Sequence, residues 1–250
     1  APNVQQSYLV AGKSWTPRNS SHSRYGQMVT LKWGLAQSNN WISAYLMSKL
    51  NPSQFVQMLH DFGISTPDIH PSMELCLGPC EVSVAEMVSA YTTFANHGIR
   101  CAPMFVSRIE DNEGNVITSF QPRMNEVISE ASANKMLIEL MAVVDEGTAK
   151  RLRFKYHIEG EIGGKTGTTN RNADAWFVGF TPQLVSGCWV GGEDRDIHFT
   201  STAEGQGAST ALPIWALYMR NVFRDKTLGY NPNQPFNMGR AKKPAAAGAP

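Results

Sequence analysis

The 250-residue chain carries almost no net charge, with 22 Lys and Arg against 21 Asp and Glu. Nor do its charges gather into runs. That removes the basic footprint by which a nucleic-acid-binding domain engages phosphates, and the cationic face that would hold an anionic membrane. Neither partner is expected. No apolar run approaches the roughly 18 residues a membrane-spanning helix needs, and the first residues lack the charged-then-apolar order of a secretion signal. Cysteine is scarce as well. Cys76, Cys80, Cys101 and Cys188 are too few to staple a fold of this size. The order Cys76, Cys80, His97, Cys101 falls loosely within zinc-finger spacing. However, His97 stands where a helix should end, and Leu77, Val82 and Val84 surround the cysteines with packing residues, so no metal is expected. A bridge among Cys76, Cys80 and Cys101 stays open if the compartment is oxidising.

What is present is apolar content, 42% of the chain, enough for the core of one large domain or two small ones. The first thirty residues are rich in Ser, Asn, Pro and Gly and keep neither a helical nor a strand period, so they read as an ordered surface loop. From Thr30 the apolar residues Leu31, Leu35, Trp41, Ile42, Tyr45, Leu46 and Leu50 recur at helical spacing. Ser38-Asn39-Asn40 interrupts them, which predicts two helices joined by a polar bend. Asn51-Pro52 opens another helix running to Gly63, and Ser83-Val84-Ala85-Glu86 is a capping box for a helix that stops at His97-Gly98. Met104–Glu110 and Asn115–Ile117 flank Asp111-Asn112-Glu113-Gly114 as a hairpin. A strongly amphipathic helix follows from Ser129 to Gly147. Ala175–Phe180 and Val185–Val190 read as a nearly all-apolar hairpin buried on both faces, and Ala211–Phe223 returns to helix. From Asn231 the Pro, Ala, Gly and Lys content predicts a disordered tail over 231–250.

Gly163-Gly164-Lys165-Thr166-Gly167-Thr168-Thr169 carries the chemistry. A lysine beside hydroxyl residues, just ahead of the strand Asp174-Ala175-Trp176-Phe177-Val178-Gly179-Phe180, puts a cation and hydrogen-bond donors on a sheet edge. Such an edge binds a carboxylate. Taken alone, the glycines could be hairpin punctuation and Lys165 a solvated edge lysine that discourages further strand pairing. Agreement with other stretches outweighs that reading. Lys-Thr-Gly is one of three motifs of serine β-lactamases and penicillin-binding proteins, with Ser-x-x-Lys and Ser-x-Asn. The flanks here, with Trp15-Thr16-Pro17-Arg18-Asn19, Tyr25-Gly26-Gln27-Met28-Val29-Thr30-Leu31, Ser38-Asn39-Asn40 and Leu77-Gly78 through Ala95-Asn96-His97-Gly98, resemble the transpeptidase domain of class A penicillin-binding proteins.

The resemblance implies an α/β (α+β) fold of the penicillin-binding and serine β-lactamase type, an antiparallel sheet flanked by helices, over residues 1–230. It implies a D,D-transpeptidase that acts on the D-Ala-D-Ala end of peptidoglycan stem peptides, is acylated by β-lactams, and needs no cofactor. Catalytic roles would fall to Ser38, a proton relay, to Asn40, which hydrogen-bonds the peptide backbone and orients the lysine of the missing Ser-x-x-Lys, and to Lys165. Thr166, Gly167, Thr168 and Thr169 would bind substrate, with the Thr168 amide in the oxyanion hole. The family's Ser-x-x-Lys, which carries the nucleophile ahead of Ser-x-Asn, has no counterpart here. The chain is therefore expected to be a fragment whose missing N-terminal part completes it and anchors it on the periplasmic side of the inner membrane. Ser132-Ala133-Asn134-Lys135 matches Ser-x-x-Lys in form, but it follows Ser-x-Asn and lies off the apolar stripe, with Lys135 set to pair with Glu139 on a wet face. A solvated lysine is a poor base at neutral pH. The alternatives are a non-catalytic peptidoglycan- or partner-binding module, and a D,D-carboxypeptidase or β-lactamase-like hydrolase.

Overall fold

In a computed structural model that describes residues 1–238, the elements run in chain order as β1 (Tyr8–Val10), β2 (Lys13–Trp15), α1 (Leu31–Ala36), α2 (Asn40–Met47), α3 (Pro52–Asp61), α4 (Val84–Ala95), β3 (Ile99–Cys101), β4 (Arg108–Glu110), β5 (Val116–Ser119), β6 (Met124–Glu126), α5 (Glu130–Asp145), α6 (Arg151–Phe154), β7 (Gly163–Thr168), β8 (Asp174–Phe180), β9 (Val185–Gly191), α7 (Thr202–Gly205) and α8 (Ala211–Arg224). No helix among the described residues is long and apolar enough to cross a membrane.

The central sheet has the order β7-β8-β9 and is antiparallel throughout, with Lys165 opposite Val178 and Phe177 opposite Cys188. Alternation along β8 sends Phe177 and Phe180 to opposite faces. On one face Phe177 meets Trp215 of α8 edge-on at 5.2 Å between ring centroids, in a cluster with Leu212, Met219, Leu152 and Ile162. On the other, Phe180 packs with Leu137 and Leu140 of α5 and with Tyr91 and Phe94 of α4. Each of these large side chains contributes about 1.5–3 kcal/mol by burial. The sheet is thus the middle of three layers, and β7 pairs along its whole length with β8, its Gly163 and Gly164 lying against Phe180 and Phe177.

The structure departs from the expected elements in several places. The first thirty residues are not wholly loop, because β1 and β2 pair around Ala11-Gly12, whose φ values of 47° and 77° make a tight hairpin turn. Alanine rather than Asn or Asp at the first turn position hid it. The short pair β3–β6 was not foreseen, and β4 is confined to Arg108–Glu110. Only β8 is buried as expected of both strands, since β9 pairs on one side alone among the described residues and leaves Trp189 exposed. The tail expected to be disordered from Asn231 is folded through residue 238. Phe236 is buried against Phe180, and its amide donates to Glu161 Oε2 at 2.6 Å. The remainder of that tail lies outside the described residues. None of the four cysteines is paired in a disulfide.

Candidate active site

The bend between α1 and α2 builds one wall. Asn39 N–H donates to the Gly34 carbonyl at 2.9 Å and Ser38 N–H to that of Leu35 at 3.0 Å, which closes the end of α1 in a Schellman turn. Such a turn wants glycine in the left-handed position. Here it is Ser38, at φ 53°, at a cost on the order of 1 kcal/mol. Its hydroxyl accepts a hydrogen bond from Lys165 Nζ at 2.8 Å. Buried Asn39 then caps α2, its Oδ1 accepting from Ile42 N–H at 3.1 Å and its Nδ2 donating to Asn3 Oδ1 at 3.0 Å. Asn3 in turn donates to the carbonyls of Ser23 and Arg24, each at 2.9 Å. The N-terminal segment therefore clamps the bend.

The facing wall is the edge of β7 away from β8, unpaired among the described residues. Lys165 donates a second hydrogen bond to the Thr166 carbonyl at 2.8 Å and has no acidic partner among the described residues. Burial without a counter-charge pushes its ammonium down to about 8. Thr169 N–H donates to the Asp174 carbonyl across the strand pair at 3.0 Å, so alternation turns the amides of Thr168 and Thr166 off the open edge. Gly207 N–H donates to Thr168 Oγ1 at 3.1 Å, leaving that hydroxyl its own proton to give. Thr166 Oγ1 lies 2.7 Å from Thr148 Oγ1.

The structure thus joins Ser38 to Lys165 and sets Thr166, Gly167 and Thr168 along the same edge. It does not join Asn40 or Thr169 to that group. Asn40 Nδ2 donates to the Arg18 carbonyl and its amide N–H to Asn19 Oδ1, both at 2.7 Å, and it makes no hydrogen bond to Ser38 or Lys165. The Thr169 hydroxyl is committed to Asp174, donating to its Oδ2 at 3.0 Å and accepting from its amide at 2.8 Å. Ser132 is exposed at the start of α5, where its hydroxyl accepts from that of Ser129 at 3.0 Å. Lys135 is exposed too, but it forms no ion pair with Glu139. Glu139 Oε2 is instead buried without a hydrogen-bond partner among the described residues, and that burial raises its pKa.

A cation, two hydroxyls and an outward amide on one strand, with a serine hydroxyl against the cation, can hold a carboxylate while moving a proton. A family profile described as the penicillin-binding protein transpeptidase domain matches residues 3–188. The chain belongs to that transpeptidase family. Its relatives include penicillin-binding protein 1A of Aquifex aeolicus, 36% identical over 91% of this chain, and that of Neisseria lactamica, 32% identical over 86%. The chain spans 29% and 27% of those relatives' lengths. Among solved structures, penicillin-binding protein 1A from Haemophilus influenzae superposes with a TM-score of 0.81 at 28% identity, over 90% of this chain and 39% of that one. PonA1 from Mycobacterium tuberculosis in complex with penicillin V gives 0.74 at 25% identity, over 92% and 64%. The penicillin-binding fold expected from the motifs is therefore the observed one.

Sequence reasoning passed over Thr148 and Gly207. The first sits in what reads as the stop signal of α5, and the second is one glycine in a polar loop. Gly147 was the available signal for Thr148, because a Cβ there would stand 2.2 Å from the Ala36 carbonyl oxygen. Likewise a Cβ on Gly207 would stand 2.4 and 2.5 Å from the carbonyls of Trp176 and Gly167.

Proposed function

We propose that the chain supplies the carboxylate-binding and proton-handling walls of a peptidoglycan D,D-transpeptidase site on the periplasmic side of the membrane. The observation that carries this is the Lys165 Nζ to Ser38 Oγ hydrogen bond, made between two motifs that lie far apart in sequence. In the complete site the serine of a Ser-x-x-Lys segment attacks the carbonyl of the penultimate D-Ala. The C–N bond breaks, the terminal D-Ala leaves as a free amine, and the acyl group stays on the serine until an amine of a neighbouring stem peptide takes it.

Lys165, Ser38, Thr166 and Thr168 each have a part in that sequence. Lys165 donates to Ser38 Oγ, so the Ser38 O–H proton is free to pass to the departing amine, and the ammonium stabilises the oxygen that loses it. The Thr166 and Thr168 hydroxyls and the Lys165 charge hold the terminal carboxylate. The Thr168 amide, aimed off the strand edge, stabilises the oxyanion by about 3 kcal/mol. β-Lactams enter the same chemistry because they present a carboxylate and a reactive carbonyl.

Labelling with a fluorescent penicillin on a denaturing gel tests the reading. With a Ser-x-x-Lys segment supplied upstream, the protein should label, and Lys165→Ala should slow acylation by about a hundredfold or more. Absence of a labelled band from the complete protein would rule the function out.

A further inference from the structure

Thr148 touches both walls of the site at once. Its backbone N–H donates to the Ala36 carbonyl, at the end of α1 and two residues before Ser38, at 3.0 Å, while its hydroxyl lies 2.7 Å from that of Thr166. Gly147 permits this approach, since any side chain there would strike the Ala36 carbonyl. Three residues on, Arg151 donates to the Ala208 carbonyl at 3.2 Å and to Ser209 Oγ at 2.9 Å, holding the turn whose Gly207 amide binds Thr168. One short segment after α5 therefore reaches the supports of both carboxylate-binding hydroxyls.

We infer that Thr148 is a positioning residue that fixes the direction of the Thr166 O–H bond for the recognition of a free carboxylate. This rests on the transpeptidase reading above. The count of donors fixes the direction. A hydroxyl has a single proton, and a carboxylate can only accept. When Thr166 gives its proton to a bound carboxylate, the 2.7 Å contact can persist only if Thr148 is the donor to Thr166 Oγ1. The relay then runs from Thr148 O–H to Thr166 Oγ1 and from Thr166 O–H to the carboxylate, each bond polarising the next. Without the Thr148 proton, the Thr166 hydroxyl loses its orienting partner and rotates among its staggered positions.

The test uses the protein with its Ser-x-x-Lys segment in place, and compares acylation by benzylpenicillin with acylation by its methyl ester, each measured by competition with a fluorescent penicillin. Thr148→Val keeps the side-chain shape without the hydroxyl. Thr148→Ala serves as a smaller hydroxyl-free variant should valine fail to fold, and Thr148→Ser restores the donor. The expected result is an acid-to-ester rate ratio about tenfold lower in the hydroxyl-free variants, as befits one hydrogen bond, and close to the unsubstituted ratio in Thr148→Ser. A ratio that stays unchanged, or equal losses toward acid and ester, would overturn the positioning role while leaving the transpeptidase reading intact. Failure of the unsubstituted protein to label at all would instead remove that reading, and this inference with it.

Discussion

Lys165 gives the protein a pH dependence of stability whose sign and size follow from its surroundings. Burial lowers the ammonium from its ordinary 10.5 to about 8 in the folded chain. That drop corresponds to roughly 3 kcal/mol of folded-state preference for the neutral amine, an upper figure because part of the residue still meets solvent. Below pH 8 both folded and unfolded chains carry the proton, and the full cost of burying the charge is present. Between 8 and 10.5 the unfolded chain binds more protons, so the free energy of unfolding rises with pH, by at most about 1.4 kcal/mol per unit. Lys165→Met removes this titration and leaves the other groups in place. Urea unfolding of both proteins at pH 7, 8.5 and 10 isolates the effect as the change in their difference, whatever the lost hydrogen bonds to Ser38 and Thr166 contribute. The unsubstituted protein should gain up to about 3 kcal/mol on the methionine variant across that range. Parallel stability curves would refute the buried, unpaired ammonium.

At Ser38 both glycine and alanine remove the hydroxyl, but only glycine relieves the left-handed backbone. Ser38→Gly should therefore exceed Ser38→Ala in stability by about 1 kcal/mol, a melting-temperature gap of roughly 2–4 °C, and the reverse order would contradict the strain. Phe236→Ala should cost about 3–5 kcal/mol in chemical denaturation, because it opens a hole against Phe180, whereas a loss below 1 kcal/mol would mean that residues 231–238 do not hold the core. The chain by itself should stay unlabelled by fluorescent penicillin, and a labelled band abolished by Ser132→Ala would make that exposed serine a nucleophile after all.

Much of this architecture is legible because its signals are local. The Ser83–Glu86 capping box forms as written, with both reciprocal hydrogen bonds. Lys165 could be set on a strand edge because it stands, with its hydroxyl neighbours, just ahead of the apolar run after Asp174. The bend at Ser38 was visible as a polar interruption between two helical stretches. Its left-handed backbone was not, since a Schellman turn announces itself by glycine and this one holds serine. The commitments of Asn40 to Arg18 and of Thr169 to Asp174 were hidden for a different reason. A motif names a residue type and a spacing, but the partner that captures the side chain is chosen by packing. Phe236 was missed because Pro and Asn dominate its neighbourhood, though one large aromatic in such a run was the sign that something had to cover it.

The hydrogen bond from Lys165 to Ser38 joins residues 127 positions apart, and on a ribosome that separation is a waiting time. At about 5–20 residues per second, Ser38 emerges roughly 6–25 s before the lysine that will bind it exists. Throughout that interval α1 and α2 lack β7, but Trp41 already has its partners, the Pro17 carbonyl and the Tyr25 ring, both made before it. Clamping of the bend by Asn3 and Asn39 draws only on residues already synthesised, so this half of the site can take shape while the other half is still messenger RNA.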